Sequence, residues 1–171
     1  MKRLESENLY YREFQPEDAL LLFHLDSDPD VHTYLYDGVV PDMEHSRQTV
    51  AYVRKQYKEV GVGRMAAFVK TTGEFIGWVG LKIEHTPVNG HSGFIDIGYR
   101  LLQVHWGKGY ATEATEFFLE YAFKELNAEK VCAYAFESNA ASRRVLEKCG
   151  LKHIKTFEHN GIQSVWYEIE R

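Results

Sequence analysis

The sequence predicts an α/β domain built around one mixed sheet, and three observations support this. The chain has 171 residues, a length typical of one domain, so we expect a single domain over residues 1–171. Hydrophobic residues make up 44% of the chain and charged residues 26%, the balance of a globular protein with a proper core. Strand-like runs come first in hairpin-linked pairs and then alternate with helices, which predicts an α+β arrangement with a mixed sheet.

The N-terminal part reads as one strand followed by two helices. Residues 9–14 alternate loosely between apolar and polar side chains, as in a half-buried strand. The run QPEDALLLFHL at residues 15–25 begins next to a proline and becomes apolar, which predicts a short helix. A second helix is predicted from residue 41 to about residue 60, because apolar side chains recur at helical spacing and Gly61 follows.

The middle of the chain predicts three strands. Residues 64–70 and 74–84 are strand-like runs joined by Thr-Thr-Gly, which is typical of a hairpin. The loop HTPVNGHSG contains an Asn-Gly turn signal and leads into a further strand at residues 94–102. Hairpin connections predict antiparallel pairing for this part of the sheet.

A strand–helix–strand unit follows. Apolar residues at helical spacing over residues 111–122 predict an amphipathic helix, and residues 131–136 form a short β-rich run. If the strands at 94–102 and 131–136 are parallel neighbours, their connection must be a right-handed crossover.

The C-terminal part reads as a helix and a closing hairpin. The helix is predicted over residues 139–148 and ends at Gly150, the usual position of a C-terminal cap. Two strands, residues 152–159 and 162–169, are separated by Asn-Gly, the strongest short hairpin signal.

Composition excludes several classes of protein. The formal net charge of −5 argues against a nucleic-acid-binding protein, because such proteins concentrate Lys and Arg. The chain contains no run of 18 apolar residues, so no membrane span is predicted. The start of the chain lacks the apolar core of a secretory signal. Cys132 and Cys149 fit neither a disulfide framework nor a zinc cluster, so we expect reduced thiols and a cytoplasmic location.

No metal site is expected. The acidic segment DSDPDVHTYLYD at residues 26–37 has the alternation of a calcium loop, but Val31 occupies the position that requires glycine. A helix–helix turn with capping aspartates is the expectation for this segment. The eight histidines lack the spacing of a metal-binding helix.

The stretch HWGKGYATEA at residues 105–114 raises the question of a phosphate ligand. A helix start exposes unpaired N–H groups, and glycine lets the backbone curl closely around an anion. Two glycines alone also fit a tight strand-to-helix turn, and in isolation that alternative is favoured. The nucleoside-triphosphate loop motif is absent. A dinucleotide-binding motif would require glycine or alanine at position 112, where this chain has Thr112. It would also require an acidic residue at the end of the next strand, and Glu137 occupies that position.

A downstream motif changes this interpretation. IDIGYRLLQVHWGKGYATEA followed by ESNAASRRVLEKCGL resembles the paired signature of the GNAT acetyltransferases. Within that superfamily the chain resembles the branch that includes the ribosomal-protein N-terminal-alanine acetyltransferases. The likeness extends to LYYREFQPEDA and GEFIGWVGL, so it covers nearly the whole chain. The resemblance implies an acyl-CoA N-acyltransferase fold and transfer of an acetyl group from acetyl-CoA to a primary amine.

The resemblance also implies a set of cofactor-binding residues. Backbone amides of the glycine stretch would wrap the pyrophosphate, namely those of Gly107, Lys108, Gly109, Tyr110, Ala111 and Thr112. The pantetheine arm would lie between the strands at 94–102 and 131–136, against backbone groups of Leu101, Leu102 and Val104. The amide of Leu101 or Leu102 is the candidate oxyanion donor. Asn139, Ser142 and Arg143 share one helix face beside the same arm, although Asn139 also suits a plain N-cap and Arg143 a solvated position.

Two departures from the family pattern affect the chemistry. Val104 stands where many members have Gln or Arg, and Leu146 stands where many have a tyrosine that protonates the departing thiolate. Ser142 is therefore the candidate acid, with a serine bonded to its own helix as an equal alternative. Asp96 and Glu84 are the candidate bases, although strand alternation favours an outward-facing Asp96.

The acceptor is left open by the sequence. A protein N-terminus, a polyamine, an antibiotic amine and an amino-acid derivative all fit a primary amine, and the acids of residues 26–37 would border the acceptor groove in the family layout. A non-catalytic acyl-CoA-binding domain is the alternative function, because the usual tyrosine is missing. No nucleic-acid or membrane partner is expected, and a homodimer is compatible with the closing hairpin.

Overall fold

One sheet organises the structure, which is a computed structural model that describes residues 3–35 and 42–171. Its eight strands lie in the order β1-β2-β3-β4-β5-β6-β8-β7. The strands are β1 (Arg3–Glu5), β2 (Leu9–Arg12), β3 (Met65–Val69), β4 (Phe75–Glu84), β5 (Phe94–Leu101), β6 (Lys130–Phe136), β7 (Lys152–His159) and β8 (Ile162–Glu170). Neighbours are antiparallel except β5 and β6, which are parallel. The predicted mixed α/β single domain is confirmed.

Five α-helices are present in the described ranges. They are α1 (Ala19–Asp26), α2 (Pro29–His32), α3 (Met43–Glu59), α4 (Tyr110–Lys124) and α5 (Ala140–Lys148). The predicted stripe on α4 buries Ala114, Phe118 and Ala122 against the sheet, in one core that also includes Leu146 of α5. A second core on the other face joins α1 and α3 through Leu22 and Val53. The sheet therefore separates the α4–α5 face from the α1–α3 face.

The predicted elements differ from the structure mainly at the N-terminus. The edge strand β1 was not expected, because three residues are too short to show a period. The predicted helix over 15–25 begins as a 3-10 turn, where the Asp18 carboxylate accepts a hydrogen bond from the Gln15 amide at 2.7 Å. The expected turn within residues 26–37 contains the short helix α2, capped by Asp28. Residues 36 and 37, and the predicted start of α3 at residue 41, lie outside the described residues.

The parallel pair β5 and β6 is the irregular point of the sheet. β5 pairs with β4 along its whole length, and β6 pairs with β8 along its whole length. Between β5 and β6, however, the registered partners are Asp96 and Cys132 alone. The two strands therefore diverge beyond Asp96, as the resemblance predicts, and leave backbone groups of both strands without a ladder partner across the gap.

Candidate active site

A cleft of about 310 Å³ opens where β5 and β6 diverge. Side chains from both faces of the sheet line this cleft, because alternate residues of a strand point to opposite faces. The part on the α4–α5 face, here the α5 side, includes Tyr99, Asn139, Ser142 and Leu146. The part on the α1–α3 face, here the α3 side, includes Tyr52, Arg64, Trp78, Lys82, Asp96, Arg100 and Tyr134. The glycine stretch follows β5 after a short 3-10 turn at Gln103–His105.

The glycine stretch forms an open loop at the start of α4. Gly107 has φ 72° and Gly109 φ 83°, in the left-handed region that favours glycine. A Cβ at either position would meet no heavy atom within 4 Å, so both face open space. Gly109 is the N-cap of α4 and provides no side-chain cap, which leaves the N–H groups of the first helical turn available to an anion.

The other residues of this loop lead from the glycines into the first turn of α4. Lys108 is exposed, whereas Tyr110, Ala111 and Thr112 are half-buried in the first turn of α4. The Thr112 carbonyl accepts a weak hydrogen bond from Cys149 at 3.7 Å, which ties this turn to the end of α5. The loop geometry fits a phosphate group held by main-chain amides.

The backbone hydrogen bonds at the end of β5 distinguish the two candidate oxyanion donors, the amides of Leu101 and Leu102. The Leu102 amide donates to the Ile76 carbonyl at 2.9 Å and is therefore used by β4. Backbone groups of an antiparallel strand alternate in direction, so the Leu101 amide points towards β6 and the gap. The Leu101 carbonyl accepts from the Trp106 indole at 2.8 Å. Val104 is 67% exposed in a 3-10 turn beyond the strand.

The start of α5 is held by Asn139. Its side-chain oxygen accepts a hydrogen bond from the Ser142 amide at 3.0 Å, so Asn139 is the N-cap of α5. Both residues line the cleft. Leu146, one turn further, is buried and brings no hydroxyl group to the wall.

Tyr99 is a site residue that the sequence reasoning missed. Its hydroxyl lies 3.0 Å from the Ser142 hydroxyl and donates to the Ser142 carbonyl at 3.1 Å. Burial raises the pKa of Tyr99 above its usual value, and the hydrogen bond with Ser142 opposes this rise. The phenol therefore stays protonated near neutral pH. The signal was its spacing of two from Ile97, which places a polar tip on the apolar face of β5.

Arg143 makes contacts away from the cleft. Its Nε donates to the Tyr167 hydroxyl at 3.2 Å, and Nη1 donates to the Glu137 carbonyl at 3.1 Å. The Tyr167 hydroxyl donates in turn to Glu147 at 2.8 Å. The guanidinium thus connects α5 to β8, and a phosphate contact would have to replace these bonds.

Asp96 lies on the α3 side, opposite Ile95 and Ile97 as alternation predicts, but it is buried and not solvent-facing. Its carboxylate accepts a hydrogen bond from Arg64, whose Nη1 also donates to the Asp96 carbonyl at 2.9 Å. Burial raises the pKa of Asp96, and the charges of Arg64 and Lys82 oppose this rise. The favoured sequence alternative, an outward-facing Asp96, is therefore wrong, because the carboxylate has a buried cation as its partner.

Arg64 is the second residue that sequence reasoning missed. Its guanidinium lies against β5, where a Cβ on Gly98 would come within 2.6 Å of Nη2. It also donates to the Gly80 carbonyl. Arg64 therefore links β4 and β5 at the point where β5 leaves β6, and Gly98 is what admits it. Arg64 was the first residue of the predicted strand at 64–70, and nothing in the sequence shows that its side chain is buried.

Glu84 lies outside the cleft lining. Its carboxylate accepts a hydrogen bond from Lys82 at 2.5 Å and another from the Thr86 amide at 3.0 Å. Burial raises the pKa of Glu84, but the bond from Lys82 outweighs it and the pKa is below its usual value. The Lys82 ammonium also lies 4.0 Å from Asp96. Both predicted bases therefore lie near Lys82, and of the two only Asp96 lines the cleft.

Neither a metal-binding cluster nor a membrane-spanning helix is found in the described residues. No group of three or more His, Cys, Asp or Glu side chains lies close enough together to hold a metal ion in residues 3–35 and 42–171. Within the same ranges, every helix is too short or too polar to cross a membrane.

The comparisons with known proteins agree with this geometry. A solved acetyltransferase of the GNAT family from Bacillus anthracis has a TM-score of 0.81 at 26% identity, covering 99% of this chain and 98% of that one. RimL, a ribosomal L7/L12 α-N-protein acetyltransferase solved with coenzyme A, has a TM-score of 0.83 and covers 99% of this chain and 98% of its own. Its 16% identity makes that a likeness of fold.

Sequence similarity is higher to a protein of unassigned activity. YkkB of Bacillus subtilis, an uncharacterised protein, is 37% identical over 158 residues, which cover 90% of this chain and 87% of that protein. A family model described as an acetyltransferase (GNAT) domain matches residues 8–152, which include the glycine loop, the diverging strands and α5. The chain therefore belongs to the GNAT acetyltransferase family.

Proposed function

We propose that this protein is an acetyl-CoA-dependent N-acetyltransferase that acts on a primary amine, either a small molecule or a protein N-terminus. The observation that carries the proposal is the divergence of β5 from β6, with an open glycine loop at the end of β5. Such an arrangement offers amides to a phosphate at one end and a cleft for a reacting group at the other.

The residues present fit the cofactor. The amides of residues 107–112 would bind the pyrophosphate, and Lys108 would add a solvent-exposed positive charge. Backbone groups of β5 that point towards β6 would pair with the pantetheine arm as an added strand does. When bound, acetyl-CoA supplies the acetyl group as an activated thioester. Asn139 and Ser142 would lie beside the arm.

Two groups on the α5 side would assist the reaction. The Leu101 amide, which points into the gap, would donate to the oxygen that becomes negative when the amine attacks; one such donor contributes about 10²–10³ in rate. The Ser142 hydroxyl would donate a proton to the departing sulfur. Tyr99 would orient it, because the two hydroxyl groups lie 3.0 Å apart, within hydrogen-bond distance.

The base is proposed to be Asp96 rather than Glu84, because Asp96 lines the cleft and burial raises its pKa. Its bond to Arg64 fixes the orientation of the carboxylate. Glu84, held by Lys82 and the Thr86 amide, would act on the site only through the lysine.

The test is release of free CoA thiol from acetyl-CoA with a panel of primary amines. We expect thiol release that depends on the amine and on acetyl-CoA. Tight CoA binding with no turnover for any amine would favour the alternative of a non-catalytic acyl-CoA-binding domain. An increase in melting temperature with NADH but not with CoA would instead support the dinucleotide interpretation of the glycine loop.

We also propose a reducing, cytoplasmic setting. Cys132 and Cys149 are free, and burial raises the pKa of Cys132 to about 12 and that of Cys149 to about 11. Both thiols therefore stay protonated and unreactive near neutral pH. Homodimer formation stays a prediction, and sedimentation equilibrium of the purified protein measures it.

A further inference from the structure

The charges on the α3 side of the cleft are already neutralised by the protein itself. Arg64 is paired with Asp96, and Lys82 with Glu84 at 2.5 Å. Arg100 lies 2.6 Å from the buried carboxylate of Asp26. Among the described residues that line the cleft, Asp96 is the one carboxylate, and Arg64 occupies it. Among the described residues, this side of the cleft therefore offers a cation no negative charge beyond Asp96, which is already paired with Arg64.

Four aromatic side chains line that part of the cleft. Tyr52 is 59% exposed and Tyr34 is 38% exposed, and both line the cleft together with Trp78 and Tyr134. The Tyr52 hydroxyl accepts a hydrogen bond from Gln56 at 3.2 Å, which holds its ring at the cleft. These rings come from four separate parts of the chain and line one opening. Large aromatic groups left exposed in this way are typical of a binding surface.

Aromatic walls and neutralised charges favour one kind of amine. A planar apolar group gains free energy from each aromatic pairing beyond that from the area that it buries. A single ammonium also gains from the face of a nearby ring. A polyamine or an antibiotic with several amines carries further positive charges, each of which loses hydration and finds no carboxylate partner on this side.

We propose that the acceptor is a primary amine with one positive charge and an aromatic ring within a few bonds of the nitrogen. The proposal rests on the proposed function and names its substrate class. Such an amine occurs both in free arylalkylamines and at the N-terminus of a peptide that begins with an aromatic residue. In either case, the ring would lie against Tyr52 and Trp78, and the amine would enter the gap between β5 and β6.

Direct binding separates this proposal from the function itself. Titration calorimetry of the CoA-saturated protein with 2-phenylethylamine, a short phenylalanyl peptide and spermidine measures the affinities without needing turnover. We expect at least one aromatic amine to bind about 10-fold or more tighter than spermidine, and the two aromatic arms identify its source. Equal or tighter spermidine binding would overturn the proposal. Aromatic-amine binding without thiol release would refute the proposed function and leave the ligand class standing.

Variants at Tyr52 test whether its aromatic ring contacts the acceptor. Tyr52→Ala is expected to weaken 2-phenylethylamine binding about 10-fold and to leave the dissociation constant of acetyl-CoA unchanged. Tyr52→Phe keeps the ring and is expected to recover most of the affinity. Leu20→Ala is the control, because Leu20 is 52% exposed on α1 and does not line the cleft. Equal affinities in Tyr52→Ala and the unmodified protein would show that the ring does not contact the acceptor.

Charge provides the second arm of the test. Thr49 is half-buried on α3 and lines the same side of the cleft. Thr49→Glu introduces a carboxylate there without a cationic partner already in place. We expect it to tighten spermidine binding several-fold and to change 2-phenylethylamine binding less. A Thr49→Glu variant with unchanged preference between the two amines would contradict the electrostatic part of the proposal.

Discussion

The two sides of the cleft are built by different means. On the α5 side, main-chain groups dominate: the amides at the start of α4, the β5 amides that face the gap, and the Asn139 cap of α5. On the α3 side, side chains dominate, and they come from α3, β4, β5, β6 and the segment before β3. The first side depends on local conformation, whereas the second depends on contacts between distant parts of the chain.

This difference determines how each side responds to mutation. A loop that holds its ligand through the backbone tolerates most side-chain changes but not a change that alters φ or fills the space in front of the amides. A wall built from buried ion pairs responds to the loss of one partner first through stability, because the other charge is left buried and unpaired. Substitutions on the two sides should therefore separate ligand binding from folding.

The largest expected effect on binding comes from Gly109→Val. A β-branched residue at φ 83° is strained by about 1–2 kcal/mol, and its side chain would occupy the open space in front of the α4 amides. Because several charge-assisted hydrogen bonds would be lost together, we expect the acetyl-CoA dissociation constant to rise about 1000-fold or more. Titration calorimetry measures the affinity, and thermal unfolding shows that the fold survives.

A matched control is available in the turn between β7 and β8. Gly161 has φ 77°, and a Cβ there would also meet no heavy atom within 4 Å. Gly161→Val should lose a similar amount of stability and retain acetyl-CoA affinity within about twofold. Unchanged affinity in Gly109→Val would remove the pyrophosphate from the glycine loop.

The same division explains what the sequence predicts. Helix and strand periods, turn residues and glycine caps are local signals, so most elements were predicted with bounds within a few residues. The exceptions are short: β1 has three residues and α2 four, too few to show a period. The glycine loop and the Asn139 cap were also predictable, because both are properties of consecutive residues.

The α3 side was not predictable in this way. Arg64 lies before β3, and no local pattern indicates that its guanidinium reaches Asp96 on β5 and the Gly80 carbonyl on β4. Asp96 was placed on the correct face by alternation, but its burial depends on side chains from other parts of the chain, among them Arg64. Tyr99 is an intermediate case, because alternation predicted its face and only the fold could reveal its contact with Ser142.

The next largest effect is expected for Asp96→Asn, which leaves the Arg64 guanidinium buried without its counter-charge. We expect a loss of about 3–5 kcal/mol in the free energy of unfolding, measured by urea titration. The control Glu44→Gln removes one partner of an exposed pair with Arg47, which lies 3.3 Å away, and should cost less than about 1 kcal/mol. An equal effect in the two variants would contradict the buried pair.

A neutral pair separates stability from chemistry at the same position. Arg64→Gln combined with Asp96→Asn keeps hydrogen-bonding groups and removes both charges, so most of the stability should return. If Asp96 is the base, kcat stays low in this double variant even though acetyl-CoA still binds. Recovery of kcat together with stability would assign Asp96 to positioning and exclude it as the base.

Ser142→Ala tests the proton donor on the α5 side. We expect kcat to fall about 100-fold, within the range for a positioned acid, with acetyl-CoA affinity nearly unchanged. Tyr99→Phe should fall less, about 10-fold, since it removes one orienting hydrogen bond of about 1.4 kcal/mol. Steady-state kinetics and calorimetry measure both quantities. Equal rates in Ser142→Ala and the unmodified protein would remove the serine from the mechanism.

The smallest effect concerns the tether that holds the start of α4. The Glu113 carboxylate accepts hydrogen bonds from the Asn8 amide at 2.7 Å and the Ser6 hydroxyl at 2.5 Å. Burial raises its pKa, but these bonds outweigh burial and lower the pKa below its usual value. A lowered native pKa means that the carboxylate stabilises the fold above the unfolded pKa and loses this contribution as pH falls through the native pKa.

Glu113→Gln should therefore cost about 1 kcal/mol at pH 7, after allowance for solvent screening, and progressively less below about pH 4.5. Glu116→Gln is the control, because Glu116 is exposed on the same helix. Urea titrations across pH measure the difference between the two variants. A cost for Glu113→Gln that persists at acidic pH would show that the tether acts through packing and not through charge. If acetyl-CoA affinity stays unchanged in Glu113→Gln while stability falls, the loop holds its ligand through its own backbone, independently of what anchors the helix behind it.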